Sequence, residues 1–268
     1  MPRYRESYGL SGRPFGKSPN LGRPYIYTQL EELVDYLETL TDDGGLGMVT
    51  GEIGSGKTTA VRHFLSALDQ NSHHLCYVGN TRHPRGILRA LVESFGNSAP
   101  HLRCDMLSMA GRLIARTFLE GRRRTIFVLD EAHLVEDSLL EDLRLLSNFE
   151  MDSQDPLALI LVGHPALRAR LRQPVHAALA DRVSIHYRLE GLSLAETLHY
   201  LDEHMQQAGA PAGVFSPEAG KIIFELAQGI PRKINRLAIN CLVKGAGKKT
   251  NPITAEHVNQ VAKAIELL

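Results

Sequence analysis

Apolar positions along this chain follow two alternating rhythms. Leu30, Leu33, Val34, Leu37 and Leu40 recur at helical spacing, and Asp42-Asp43-Gly44-Gly45 supplies a stop, so a helix is expected there. Short apolar runs bounded by turn residues predict strands at Leu46–Thr50, Leu75–Val78, Thr125–Leu129, Leu157–Val162 and Val183–Leu189. Helical patterns separate them. One carries Ala60, Val61, Phe64, Leu65 and Leu68; others span Ile87–Phe95, Cys104–Glu120, Ser138–Ser147 and Pro165–Leu171, with a short segment at Pro174–Leu179. Repeated strand–helix alternation predicts an α/β fold, a parallel five-stranded sheet flanked by helices.

From Ser193 the pattern is helical only: Ser193–Gln207, Ser216–Ala227, Pro231–Ala246 and Thr254–Leu268. Ser193 with Glu196 makes a capping box, and Ser216 with Pro217 is a cap followed by proline at the first helical position. Thr254 with His257 starts the last helix less ideally. The expected organisation is an arm at 1–27, an α/β core at 28–190 and a small all-helical domain at 191–268. The arm is rich in Pro, Gly and Arg. It reads either as a solvated segment or as one that folds against a ligand or a neighbouring subunit, with Tyr8, Leu10, Pro14 and Phe15 as anchors.

Composition narrows the class. With 268 residues, 43% of them apolar and 22% charged, the chain is an ordinary globular sequence large enough for a substantial core. Its formal net charge is zero, so a surface for nucleic acid must be local. Cys76, Cys104 and Cys241 are widely spaced, which argues against a disulfide framework or zinc site and suits a reducing cytoplasm. The longest apolar run, Leu157 to Gly163, is too short to span a bilayer, and no signal peptide is evident. The expectation is a cytoplasmic protein without a membrane anchor.

The chemistry concentrates after the first strand. Residues 51–59 read Gly51-Glu52-Ile53-Gly54-Ser55-Gly56-Lys57-Thr58-Thr59 and fit the phosphate-binding loop. The glycines let successive N–H groups curl around an anion, and the following helix adds the positive end of its dipole. Lys57 can reach the β- and γ-phosphates of a nucleotide, and Thr58 can ligate Mg²⁺. Roughly seventy residues on, the third strand ends in Asp130-Glu131, the order and spacing expected for the loop's partner. Asp130 would hold the Mg²⁺ shell and Glu131 would orient and polarise the attacking water. ATP and Mg²⁺ are the expected cofactors. The fourth strand ends at His164, where a polar side chain looks toward the γ-phosphate, making it a candidate sensor.

Two basic clusters follow different logic. Arg82, Arg85 and Arg89 lie at a helix start, where cations are disfavoured, so they mark a candidate anion-binding surface as well as a solvated helix entry. Arg122, Arg123 and Arg124 follow a helix end, where cations are favourable.

The full order of motifs resembles the AAA+ ATPases. The runs Tyr8-Gly9-Leu10 with Pro14-Phe15, Leu143-Arg144-Leu145-Leu146-Ser147-Asn148 and Gly229 to Asn235 make it similar to the ExeA type, named for general secretion pathway protein A. The resemblance covers nearly the whole chain. It implies a P-loop NTPase core with a helical lid, ATP bound between the two, and activity as a ring or helical oligomer. It also implies that Arg232 touches the γ-phosphate of its own subunit and that Arg182 is an arginine finger offered to a neighbour. The family often has Gln where this chain has His164. The secretion members continue into a membrane helix and a wall-binding domain, whereas this sequence ends at Leu268. On that ground a free-standing ATPase resembling the transposition regulators (TnsC, TniB and MuB types) is expected, assembling on duplex DNA through Arg82, Arg85 and Arg89 and recruiting a transposase. The alternative is a cytoplasmic ATPase acting on a protein partner in secretion or envelope assembly.

Overall fold

The computed structural model describes residues 2–16, 24–79, 83–148, 155–248 and 251–265. Arg82 and the turn around Ser153 therefore lie outside the described residues, as do Lys17 and Arg23 of the arm and the expected end of the last helix at Leu268. In chain order the helices are α1 (Arg3–Ser7), α2 (Thr28–Asp43), α3 (Lys57–Ala67), α4 (Pro84–Ser94), α5 (Arg103–Leu119), α6 (Asp137–Leu146), α7 (Ala166–Leu171), α8 (Ala177–Ala180), α9 (Leu194–Gln207), α10 (Pro217–Ala227), α11 (Pro231–Lys248) and α12 (Ala255–Ala264). The strands are β1 (Gly45–Gly51), β2 (His73–Val78), β3 (Arg124–Leu129), β4 (Leu157–Gly163) and β5 (Val183–Leu189). Two compact units result: residues 29–53 with 57–189, and residues 1–28 with 54–56 and 190–268.

The α/β unit is built on one sheet of order β2-β3-β4-β1-β5, with every pairing parallel. Its central strands are continuous apolar runs because both faces are covered: all seven residues of β4 are buried, and so are five of six in β3. The register aligns Leu129 of β3 with Leu161 of β4, and Val49 of β1 with Val162 of β4. Parallel neighbours thus deliver Asp130, His164 and the loop after Gly51 to one sheet edge, where ligands of such sheets bind.

Arg124, expected to sit at the end of its own preceding helix, serves a different one. Its guanidinium donates to the carbonyls of Thr41 (2.7 Å) and Asp42 at the end of α2, and to that of Asp155 (2.8 Å). The favourable pairing of a cation with helix-terminal carbonyls holds, but across the fold rather than along the chain.

The helical unit packs α9–α12 around a core that includes the arm. Tyr8, Leu10 and Phe15 are buried there, and α1 was not anticipated from sequence. Phe15 meets Phe215 edge-on at 6.3 Å, Tyr25 meets Tyr200 edge-on at 5.3 Å, and Ser11 donates its N–H to Ala208 O at 2.8 Å. The capping box at Ser193 and Glu196 is present, and the Thr254 hydroxyl accepts the His257 N–H. Among the described residues no helix is long and apolar enough to cross a membrane.

Candidate functional site

The phosphate loop leaves β1 at Gly51 and enters α3 at Lys57. Gly54 and Gly56 adopt positive φ, 88° and 101°, which only glycine takes up cheaply. Gly54 has a second reason to lack a side chain. A Cβ there would stand 2.5 Å from Arg232 Cβ, and the Arg232 N–H donates to Gly54 O at 3.3 Å within the same unit. The Lys57 ammonium donates to Gly51 O (2.7 Å) and Glu52 O (2.9 Å), arching back over its own loop. The Ser55 hydroxyl is buried with no hydrogen-bond partner among the described residues.

The two halves of the motif meet directly. Thr58 Oγ1 donates to Asp130 Oδ2 at 2.6 Å, across 72 positions of sequence. Tyr77, at the end of β2, donates its hydroxyl to the same oxygen at 2.7 Å. The Glu131 N–H donates to Asp130 Oδ1 at 2.8 Å. Three donors thus fix a carboxylate that is almost fully buried. Burial first, then the Asp130 carboxylate, pushes the Tyr77 phenol up to about 12, so its proton stays in place. The Tyr77 ring lies 5.3 Å beneath the Arg62 guanidinium, a cation–π distance.

Glu131 has φ of 55°, in the left-handed region that side chains seldom occupy, and is exposed. Its Oε2 lies 3.5 Å from His133 Nδ1. His164 presents Nε2 to Glu52 Oε2 at 3.4 Å, while its Nδ1 accepts the Ala166 N–H at 3.3 Å. Sequence reasoning gave no role to Tyr77 or His133. His133 carries a signal in the run Asp130-Glu131-Ala132-His133, but Tyr77 reads only as a strand aromatic.

The arginines divide. Arg182 donates to Ser147 O at 2.6 Å and to Asn148 Oδ1 at 2.9 Å, at the end of α6. Arg85 and Arg89 are exposed on α4, and Arg89 pairs loosely with Glu93 at 3.8 Å. Ile53 is exposed on the loop, and Thr59 is exposed in the first turn of α3.

Mg²⁺ with a nucleotide fits these residues. The orphaned Ser55 hydroxyl, the inward ammonium and the Thr58–Asp130 pair are hard oxygen and cationic groups of the kind that phosphates and Mg²⁺ require. Among the described residues no cluster of His, Cys, Asp and Glu offers an alternative metal site.

Sheet order, loop and acidic strand end together define a P-loop AAA fold, and residues 40–171 match the AAA domain family. The chain is 31% identical to general secretion pathway protein A of Aeromonas hydrophila over 263 residues, 97% of this chain and 48% of that protein. It thus spans about half the length of that relative. Among solved structures it resembles Cdc6p from Pyrobaculum aerophilum, with a TM-score of 0.67 at 21% identity, over 92% of this chain and 70% of that one. It also resembles the Aeropyrum pernix ORC1 protein in complex with DNA, with a TM-score of 0.64 at 16% identity, over 92% of this chain and 68% of that one. The solved structures are similar to this chain in fold.

Proposed function

We propose that this chain is a Mg²⁺-dependent ATPase whose nucleotide state controls its assembly. The observation that carries the reading is the 2.6 Å bond from Thr58 to Asp130, which joins loop and strand end one residue before Glu131. Mg²⁺, when bound, supplies the positive charge that offsets charge on the phosphate oxygens. Thr58 and Asp130 would hold it, Lys57 and the loop amides would hold the phosphates, and Glu131 would orient the water. His164 would report on the γ-phosphate side, and the family resemblance gives Arg232, beside Gly54, a role toward the γ-phosphate of its own subunit. Lys57→Ala is expected to abolish binding of a fluorescent ATP analogue. Glu131→Gln is expected to keep that binding and slow turnover by about 10² to 10⁴; normal turnover would refute the assignment of the base.

For the partner we retain duplex DNA, with transposase recruitment as its finer form. Exposed Arg85 and Arg89 support it, and one fold relative is described in complex with DNA. A second reading, a protein partner in secretion or envelope assembly, is favoured by the 31% identity to general secretion pathway protein A. Turnover measured with and without duplex DNA at two salt concentrations separates them. Stimulation that salt suppresses, and that Arg85→Ala with Arg89→Ala removes, supports DNA. Turnover indifferent to DNA transfers the assignment to a protein.

A further inference from the structure

One side chain touches both Glu131 and the strand end that carries His164. His133 lies in a short 3-10 turn, residues 132–134, immediately after Glu131. Its Nδ1 is 3.5 Å from Glu131 Oε2 and accepts the backbone N–H of His164 at 3.3 Å. The ring comes this close because Gly163 has no side chain; a Cβ there would stand 3.3 Å from Nδ1.

One nitrogen cannot serve both partners in the same state. Accepting an amide N–H requires a lone pair on Nδ1, whereas donating to a carboxylate requires a proton there. The two contacts therefore exclude each other. Charged and titratable neighbours approach the ring from three elements. Glu131 faces the ring from its own turn. From the end of β4, His164 faces it at 5.9 Å between ring centroids, and His164 in turn reaches Glu52. From α7, Arg170 donates to His133 O at 3.4 Å and is held by Asp137, which also lies 3.0 Å from His176 Nε2.

We propose that His133 is the positioning residue for Glu131. With a proton on Nδ1 it holds the carboxylate; with a lone pair there it releases the carboxylate and holds the His164 amide. A change sensed on the phosphate side by Glu52 and His164 then reaches Glu131 through one ring. This rests on the reading of Glu131 as the water-orienting residue.

The test separates the two ideas. Glu131→Gln is assayed first for retained ATP binding and lost turnover; normal turnover refutes that reading of Glu131 and removes the basis of the proposal. The second arm needs no nucleotide. In the full chain, the imidazole resonances of His133 are followed by NMR against pH in the wild type and in Glu131→Gln. A carboxylate beside the ring favours the imidazolium, so Glu131→Gln is expected to move the His133 midpoint downward. An unmoved midpoint overturns the proposal even where turnover of Glu131→Gln has fallen. The third arm is kinetic. His133→Ala is expected to lower kcat by about tenfold to a hundredfold with ATP affinity unchanged, and to add nothing in the Glu131→Gln background. An equal loss in both backgrounds means that His133 acts independently of Glu131 and overturns the proposal. Should His133→Ala fail to fold, the NMR comparison, which leaves His133 in place, decides.

Discussion

At the residue scale, Asp130, the carboxylate proposed to hold Mg²⁺, is fixed by three donors. Thr58 and Tyr77 both donate to Oδ2, and the Glu131 amide donates to Oδ1. Tyr77→Phe removes one hydroxyl and leaves the ring under Arg62. It is expected to weaken the Mg²⁺ dependence of nucleotide binding about tenfold, the usual cost of losing a hydrogen-bond partner of a metal ligand. A Mg²⁺ titration with a fluorescent ATP analogue measures this. Because burial and the Asp130 carboxylate push the phenol up to about 12, the difference between wild type and variant should be the same at neutral and mildly alkaline pH. That Thr58 would lie near Asp130 was legible because a phosphate loop and an acidic strand end are expected as partners, and the two side chains do meet. Tyr77 was not, because its role depends on β2 lying beside β3, a pairing that local sequence does not encode.

At the element scale, the strands were legible where burial on both faces made them uniformly apolar, as in β4. The arm was less so. Its glycines and prolines mask a short helix, and its buried residues find partners about two hundred positions away in the helical unit. One of those partners gives a pH prediction. His204 is buried against Tyr200 at 4.1 Å and Phe15 at 5.8 Å, with Nδ1 lacking a partner among the described residues. Desolvation pushes its imidazole down to about 4 from the ordinary 6.5. The folded state therefore disfavours the charged ring. The associated stability is complete above the unfolded value and is lost as pH falls toward 4, by on the order of 3 kcal/mol. Thermal melting between neutral pH and pH 4 should show a fall in Tm that His204→Leu reduces, since leucine fills the site without a group to protonate. An equal acid sensitivity in both proteins would place the effect on other groups.

At the scale of the whole molecule, the decisive side chain is Arg182. The structure holds its guanidinium on Ser147 O and Asn148 Oδ1, a cation on the end of α6, where it stabilises the helix. The family resemblance instead assigns it to a neighbour's nucleotide. The two roles differ in what Arg182→Ala does to other subunits. A helix cap lost in one chain lowers that chain's Tm and cannot be supplied by another molecule. A finger can be supplied, because it acts across a head-to-tail interface on the site of the next subunit. Arg182→Ala and Glu131→Gln should each be nearly inactive alone. Mixed in equal amounts, an Arg182→Ala subunit keeps its own Glu131 and receives an intact arginine from a Glu131→Gln neighbour. If subunits mix at random, about a quarter of the sites pair an intact base with an intact finger, so turnover should recover toward that fraction of wild type. A mixture no more active than the separate variants, together with a lowered Tm for Arg182→Ala, would confine Arg182 to capping α6 and remove the reason that hydrolysis should require assembly.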